Sequence, residues 1–217
     1  MADIFHEVDE EVRRERLKQF WDRYSLFIIA ACVLIVVGIG SWRGYEGYIE
    51  RQAAIAGARF EAAVTLSEQG KTKEAETEFA KIAADAPGGY AVLARFRAAA
   101  ALGQSDKAGA VKAYDAIAQD GSLAQVWQDL AAVRAGLLLV DTAPLAEMQR
   151  RLVPLAQSDR AFRHSARELL ALSAWHHNDV ATAKKYLDMM AQDAETPPGV
   201  RSRADVLAAL IAATGKG

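Results

Sequence analysis

His176, His177 and Asp179 stand close together in the chain, and residues of these types bind metals when they converge. Consecutive residues on a helix point about 100° apart, so the two imidazoles do not converge as an i,i+4 pair would. They read instead as the end of a helix before a turn. His164 and Glu168 do have i,i+4 spacing, but two ligands do not make a metal site, and the spacing suits a hydrogen bond or ion pair. Ser165 has no placed base and none of the glycines of a nucleophile elbow. Gly88-Gly89 is not followed by the Lys-Ser or Lys-Thr of a phosphate loop. The single thiol, Cys32, lies inside an apolar segment, so the rest of the chain offers neither a cysteine nucleophile nor a thiolate metal site. These residues predict a non-enzymatic protein with no cofactor and no metal.

A different chemistry is suggested by arginine. Arg59, Arg95, Arg134, Arg167 and Arg203 recur at intervals of roughly 33 to 39 residues. Each falls in or near the first helix of a repeated unit, and first helices of such units line one common face. The spacing predicts a cationic, partner-binding groove for acidic or extended polypeptide segments. The competing expectation is that these arginines pair within the chain, with Glu61, Asp129, Glu168 and Asp205 as partners.

The elements that would carry them are helical. Alanine is abundant and strand-like alternation is almost absent, a composition that predicts an all-α fold. Ala75, Phe79 and Ile82, with Gly70 before and Pro87 after, match the second-helix half of a tetratricopeptide unit. Ala110, Tyr114 and Ile117 repeat that spacing about 35 residues later. Ala183, Leu187 and Met190 repeat it about two periods further on, after Asn178-Asp179 and before Pro197-Pro198-Gly199. A small residue where two helices touch leaves a hole that a larger one fills. Between these lies a unit with poor signature residues: a helix over Ala124–Val140, then one starting near Pro144 with Leu145, Met148, Leu152 and Leu155 inward. A last helix over Arg201–Ala213 has no partner after it, as expected of a cap. The fold expected is an all-α tetratricopeptide-like solenoid of about four helix pairs plus a capping helix, preceded by one transmembrane helix.

That helix is predicted over residues 24–42, YSLFIIAACVLIVVGIGSW, a run of about 19 residues without a charge. Phe20, Trp21 and Tyr24 belt one end; Trp42, Tyr45 and Tyr48 belt the other. Arg13, Arg14, Arg16, Lys18 and Arg23 precede it, against Arg43 and Arg51 after it, which predicts a cytoplasmic N-terminus. Residues 38–43 do not form an Ala-x-Ala cleavage site, so the segment reads as an uncleaved signal anchor. Residues 1–23 are predicted to form a cytoplasmic helix from about Ile4, capped by Asp3. It carries Phe5, Val8, Val12 and Leu17 on an irregular apolar face and acid-first pairs Asp9–Arg13 and Glu10–Arg14. Residues 43–217 form the domain on the far side.

A formal net charge of -2 over 217 residues predicts no nucleic-acid partner. The block Glu7–Arg16 before the anchor, Gly89-Tyr90-Ala91-Val92-Leu93-Ala94-Arg95 and Phe162–Leu170 together resemble the YfgM-like family, bacterial ancillary subunits of the SecYEG translocon. The resemblance spans essentially the whole chain. It implies a periplasmic tetratricopeptide domain anchored in the cell inner membrane, with the translocon, periplasmic chaperones and polypeptide clients as partners. Related domains serve envelope assembly and cell division, which is the alternative expectation.

Overall fold

The computed structural model describes the backbone of residues 3–214. Side chains are described from residue 20 on, except at 28, and before that at Arg14 and Lys18. The expected Asp3 cap, the Asp9–Arg13 and Glu10–Arg14 pairs and the apolar face of Phe5, Val8, Val12 and Leu17 therefore lie outside the described residues. Among the described residues there is no strand. The α-helices are α1 (Asp3–Glu68), α2 (Thr72–Asp85), α3 (Gly89–Leu102), α4 (Lys107–Ala118), α5 (Gln125–Leu139), α6 (Leu145–Leu152), α7 (Arg163–His176), α8 (Val180–Gln192) and α9 (Pro198–Ala213), with a 3₁₀ turn at Val153–Leu155. The chain divides into two compact units, residues 1–55 and 56–217.

The first unit is the N-terminal part of α1. Its most apolar window has a mean hydropathy of 2.4 and is not buried at all, so it is long and apolar enough to cross a membrane. Leu26, Phe27 and Leu34 are each at least 70% exposed. A soluble core helix would hide such side chains. Trp21 and Tyr24, then Trp42, Tyr45 and Tyr48, are exposed around this stretch as amphipathic belts require. The expected cytoplasmic helix, anchor and opening helix are one uninterrupted α-helix, because no proline or turn sequence divides them.

The second unit stacks helix pairs. The end of α1 packs with α2 through Phe60 and Ala63 against Ala75 and Phe79, then α3 packs with α4, α5 with α6 and α7 with α8, while α9 closes the stack. The repeated triads are all buried: Ala75, Phe79 and Ile82 on α2; Ala110, Tyr114 and Ile117 on α4; Ala183, Leu187 and Met190 on α8. Facing them, Ala63, Ala94, Ala131 and Ala166 mark the first helices, each fully buried, where only a methyl group fits between neighbours. The third unit keeps the triad spacing with Met148, Leu152 and Leu155. Methionine replaces the small residue there, and Gly136 on α5 lies against Leu152: a Cβ added to it would be 3.2 Å from both methyl carbons of Leu152. The weak signature of this unit is thus methionine at the position where the other units carry alanine.

Helix ends follow local chemistry. Gly70 takes φ +77° between α1 and α2, a left-handed turn that a side chain would strain, and Asn178 takes φ 57° between α7 and α8. The Asp106 and Asp179 carboxylates accept from the amides of Gly109 and Thr182, capping α4 and α8. The last helix starts at Pro198, before the expected Arg201, because proline in the first turn forfeits no helical hydrogen bond.

Candidate protein-interaction surface

The five arginines of the sequence ladder have different surroundings. Arg59 on α1 reaches Asp85 at 3.9 Å, at an exposed edge. Arg95 on α3 donates to Asp120 Oδ2 at 2.6 Å and to the Ala116 carbonyl at 3.4 Å. The Ser122 hydroxyl, Arg95 and the Ser122 amide together hold the Asp120 carboxyl down at about 2. Arg167 on α7 is 4% exposed; its Nε donates to the Ala156 carbonyl at 3.0 Å and its Nη1 to Asp193 Oδ2 at 2.8 Å. Arg203 on α9 forms a two-pronged pair with Glu168 of α7, with Nη2 to Oε2 at 2.8 Å. Arg134 on α5 is exposed and makes no ion pair among the described residues. The acids expected as partners are otherwise disposed: Asp129 is buried and accepts from Arg160 and from Gln125 Nε2, and only Glu168 pairs as expected.

Asp193 is the centre of the densest cluster. It accepts from Arg163 Nε at 2.9 Å, from Arg167 and from the Glu195 amide at 3.1 Å, while Arg201 donates to its carbonyl at 3.0 Å. Arg163 foremost keeps this carboxyl far below the usual carboxylate range. His164 does not meet Glu168. The Thr196 hydroxyl donates to the Met190 carbonyl at 2.7 Å, so it accepts from His164 Nδ1 at 3.2 Å. Asp193 Oδ2 lies 3.9 Å from the same nitrogen. Burial first, and then the positive charge of Arg163, lowers the His164 pKa. The cluster ties α7, the loop after α8 and α9 together, a structural task.

His176 ends α7 and His177 caps it, as the sequence predicts. His177 Nδ1 turns back to the Ser173 carbonyl at 2.8 Å, while His176 lies 3.4 Å from Asp141. Among the described residues no three His, Cys, Asp or Glu side chains gather where they could hold a metal ion.

The outward face of the first helices carries a signal that the sequence ladder passed over. On α3, Leu93, Arg97 and Ala100 lie along one exposed stripe at i, i+4 and i+7, with the exposed Gln104 in the turn just beyond it. On α5, Val126, Leu130, Arg134 and Leu137 lie along a stripe of the same form, Leu130 being half-buried. Arg97 and Arg134 occupy equivalent positions, each three residues after a buried alanine, Ala94 and Ala131. Arg95, chosen by spacing alone, points about 200° away around the helix and meets Asp120 instead. The buried-alanine register would have found Arg97. Phe96 and Trp127, with ring centroids 5.9 Å apart, hold the two helices side by side. Next to the α3 stripe a groove of about 510 Å³ opens, lined by Val64, Ser67, Glu68, Phe79, Arg97 and Gln104 among others.

Comparison with known proteins agrees with this architecture. Residues 18–169 match the model of the tetratricopeptide repeat-like domain family. No curated protein and no solved structure matches the chain. Such domains are generally non-catalytic adaptors for other polypeptides. The match covers most of the chain, from just before the exposed apolar part of α1 into α7, and the chain belongs to the tetratricopeptide repeat-like domain family.

Proposed function

We propose that the protein is a scaffold of the cell inner membrane that holds a polypeptide-binding domain beside the SecYEG translocon. In this reading residues 1–23 face the cytoplasm, residues 24–42 span the membrane and residues 43–217 are periplasmic. The observation that carries it is a tetratricopeptide repeat-like domain reached through a wholly exposed, belted apolar helix. The cation bias before that helix supports the orientation, and the resemblance to the YfgM-like family supports the translocon as neighbour. Periplasmic chaperones and emerging secretory or envelope proteins are the clients. Tethering raises their local concentration, so modest affinity suffices. Of the arginines in the ladder, Arg134 keeps the partner-binding role; Arg59, Arg95, Arg167 and Arg203 serve the fold.

Photoreactive residues placed at Trp42 and Arg134 in living cells test this. The expected result is crosslinks from Trp42 to translocon subunits and from Arg134 to secretory clients or a chaperone. Crosslinks only to division or wall-synthesis proteins would overturn it.

A further inference from the structure

We infer that the adjoining stripes of α3 and α5 form a docking strip for an extended, acidic polypeptide segment with apolar residues between its acids; this rests on the polypeptide-binding reading above. Three observations carry it. First, Arg97 and Arg134 are exposed at equivalent positions of neighbouring first helices, and neither forms an ion pair among the described residues. Most of the arginines in this domain are engaged by carboxylates or carbonyls, Arg95, Arg151, Arg163 and Arg167 among them, so two outward and unpaired ones on one face are a departure from its pattern.

Second, large apolar side chains flank them. Leu93 is 39% exposed, Val126 45% and Leu137 53%. Apolar groups interleaved with guanidinium groups suit a ligand that alternates in the same way, because each arginine can take a carboxylate while the side chains between are removed from water. Third, neighbouring helix axes lie on the order of 10 Å apart, and an extended chain of polyproline II form covers that distance in about three residues, which is also one turn, so both acids face the protein. A ligand crossing from Arg97 to Arg134 would therefore present acids about three residues apart with apolar residues between. Glu68, across the groove from Arg97, repels acids at the α1 edge and biases the ligand toward α5.

The probe is a fluorescein-labelled peptide with a Glu-Leu-Leu-Glu core, against one with a Lys-Leu-Leu-Lys core. The full chain is reconstituted in nanodiscs of neutral lipid, with empty nanodiscs subtracted, and binding is read by fluorescence anisotropy. The acidic peptide should bind more tightly than the basic one, and added salt should weaken it. The double substitution Arg97→Gln/Arg134→Gln should weaken the acidic peptide about tenfold, since each exposed pair contributes up to about a factor of five. Arg95→Gln serves as the second variant: it should lower thermal stability and leave peptide affinity unchanged. The inference is overturned if the basic peptide binds equally well, or if the double variant keeps full affinity while folded by circular dichroism. The two readings fail separately. Translocon crosslinks from Trp42 without acidic-peptide binding would remove the strip and keep the scaffold; acidic-peptide binding without those crosslinks would do the reverse.

Discussion

Around α1 to α4 the repeat domain is held by few buried side chains: Ala63, Ala75, Phe79, Ile82 and Ala94 form one cluster, and α4 joins α5 through another of similar size. Around α6 to α9 a single continuous core runs from Val140 to Ile211, and the Asp193 cluster clasps its outside. The first region leaves a groove of about 510 Å³ open beside Phe79, whereas the space beside Leu187, at the same triad position of the second, is about 80 Å³. Little burial and open helix faces mean low local stability, which is where binding surfaces are drawn from. In the proposed reading, recognition falls to the N-terminal repeats and rigidity to the C-terminal ones.

Substitutions can break or sharpen that contrast, and the largest effect is expected at the thin end. Phe79→Ala removes the one fully buried ring of a small cluster and should cost about 4 kcal/mol in chemical unfolding, with amide exchange accelerating in α1 to α3 well before α7. Uniform acceleration would show that the repeats unfold as one body. Arg167→Leu leaves Asp193 without its buried partner and should cost about 3 kcal/mol, read as a lower midpoint and faster exchange in α7 to α9. Gly136→Ala pushes a methyl group against Leu152 and should cost about 1 to 2 kcal/mol, and less in a Leu152→Val background, where the side chain is shorter.

Between pH 7.5 and 5.5 acid should act on the C-terminal end. The folded pKa of His164 lies below its unfolded value near 6.5, so as pH falls through that value the unfolded chain takes up the proton first. Stability contributed by neutral His164 is full above about 7 and declines below it. Protection factors in α7 to α9, with the intrinsic pH dependence of exchange divided out, should therefore fall between pH 7.5 and 5.5, and His164→Asn should abolish the dependence. The smallest effect is Arg203→Ala: the pair is exposed, and its loss should change stability by less than about 1 kcal/mol.

Much of the architecture was legible because it rests on local rules. The spacing of Ala75, Phe79 and Ile82 and its recurrence at Ala110 and Ala183 marked helices whose inward faces must match at every repeat. Gly70 and Asn178 marked the turns because their backbone enters the left-handed region. The uncharged run after Tyr24 with aromatic belts marked the exposed helix. The arginines were harder to read. A period near 35 residues fixes position along the chain to within a residue or two, whereas one residue turns a helix by 100°. Arg95 and Arg97 both satisfy the period, and only the buried alanine beside them decides which faces water. Pairing was less legible still: Arg167 finds Asp193 across a loop, and Asp129 is taken by Arg160 rather than Arg134. Those choices depend on how loops fold back, which no periodicity encodes.

The close approach of Gly136 and Leu152 has a consequence for how such a chain can change over time. A solenoid looks modular, as though any unit could be duplicated, deleted or traded for its neighbour. Here the first helix of the third unit is fitted to its own partner: Gly136 stands where α3 and α7 carry the buried Ala99 and Ala171. A copy of α3 or α7 in its place would crowd a methyl group against Leu152, and a copy of α5 elsewhere would leave a methyl-sized void. Trading first helices between units therefore carries a cost that trading whole units does not.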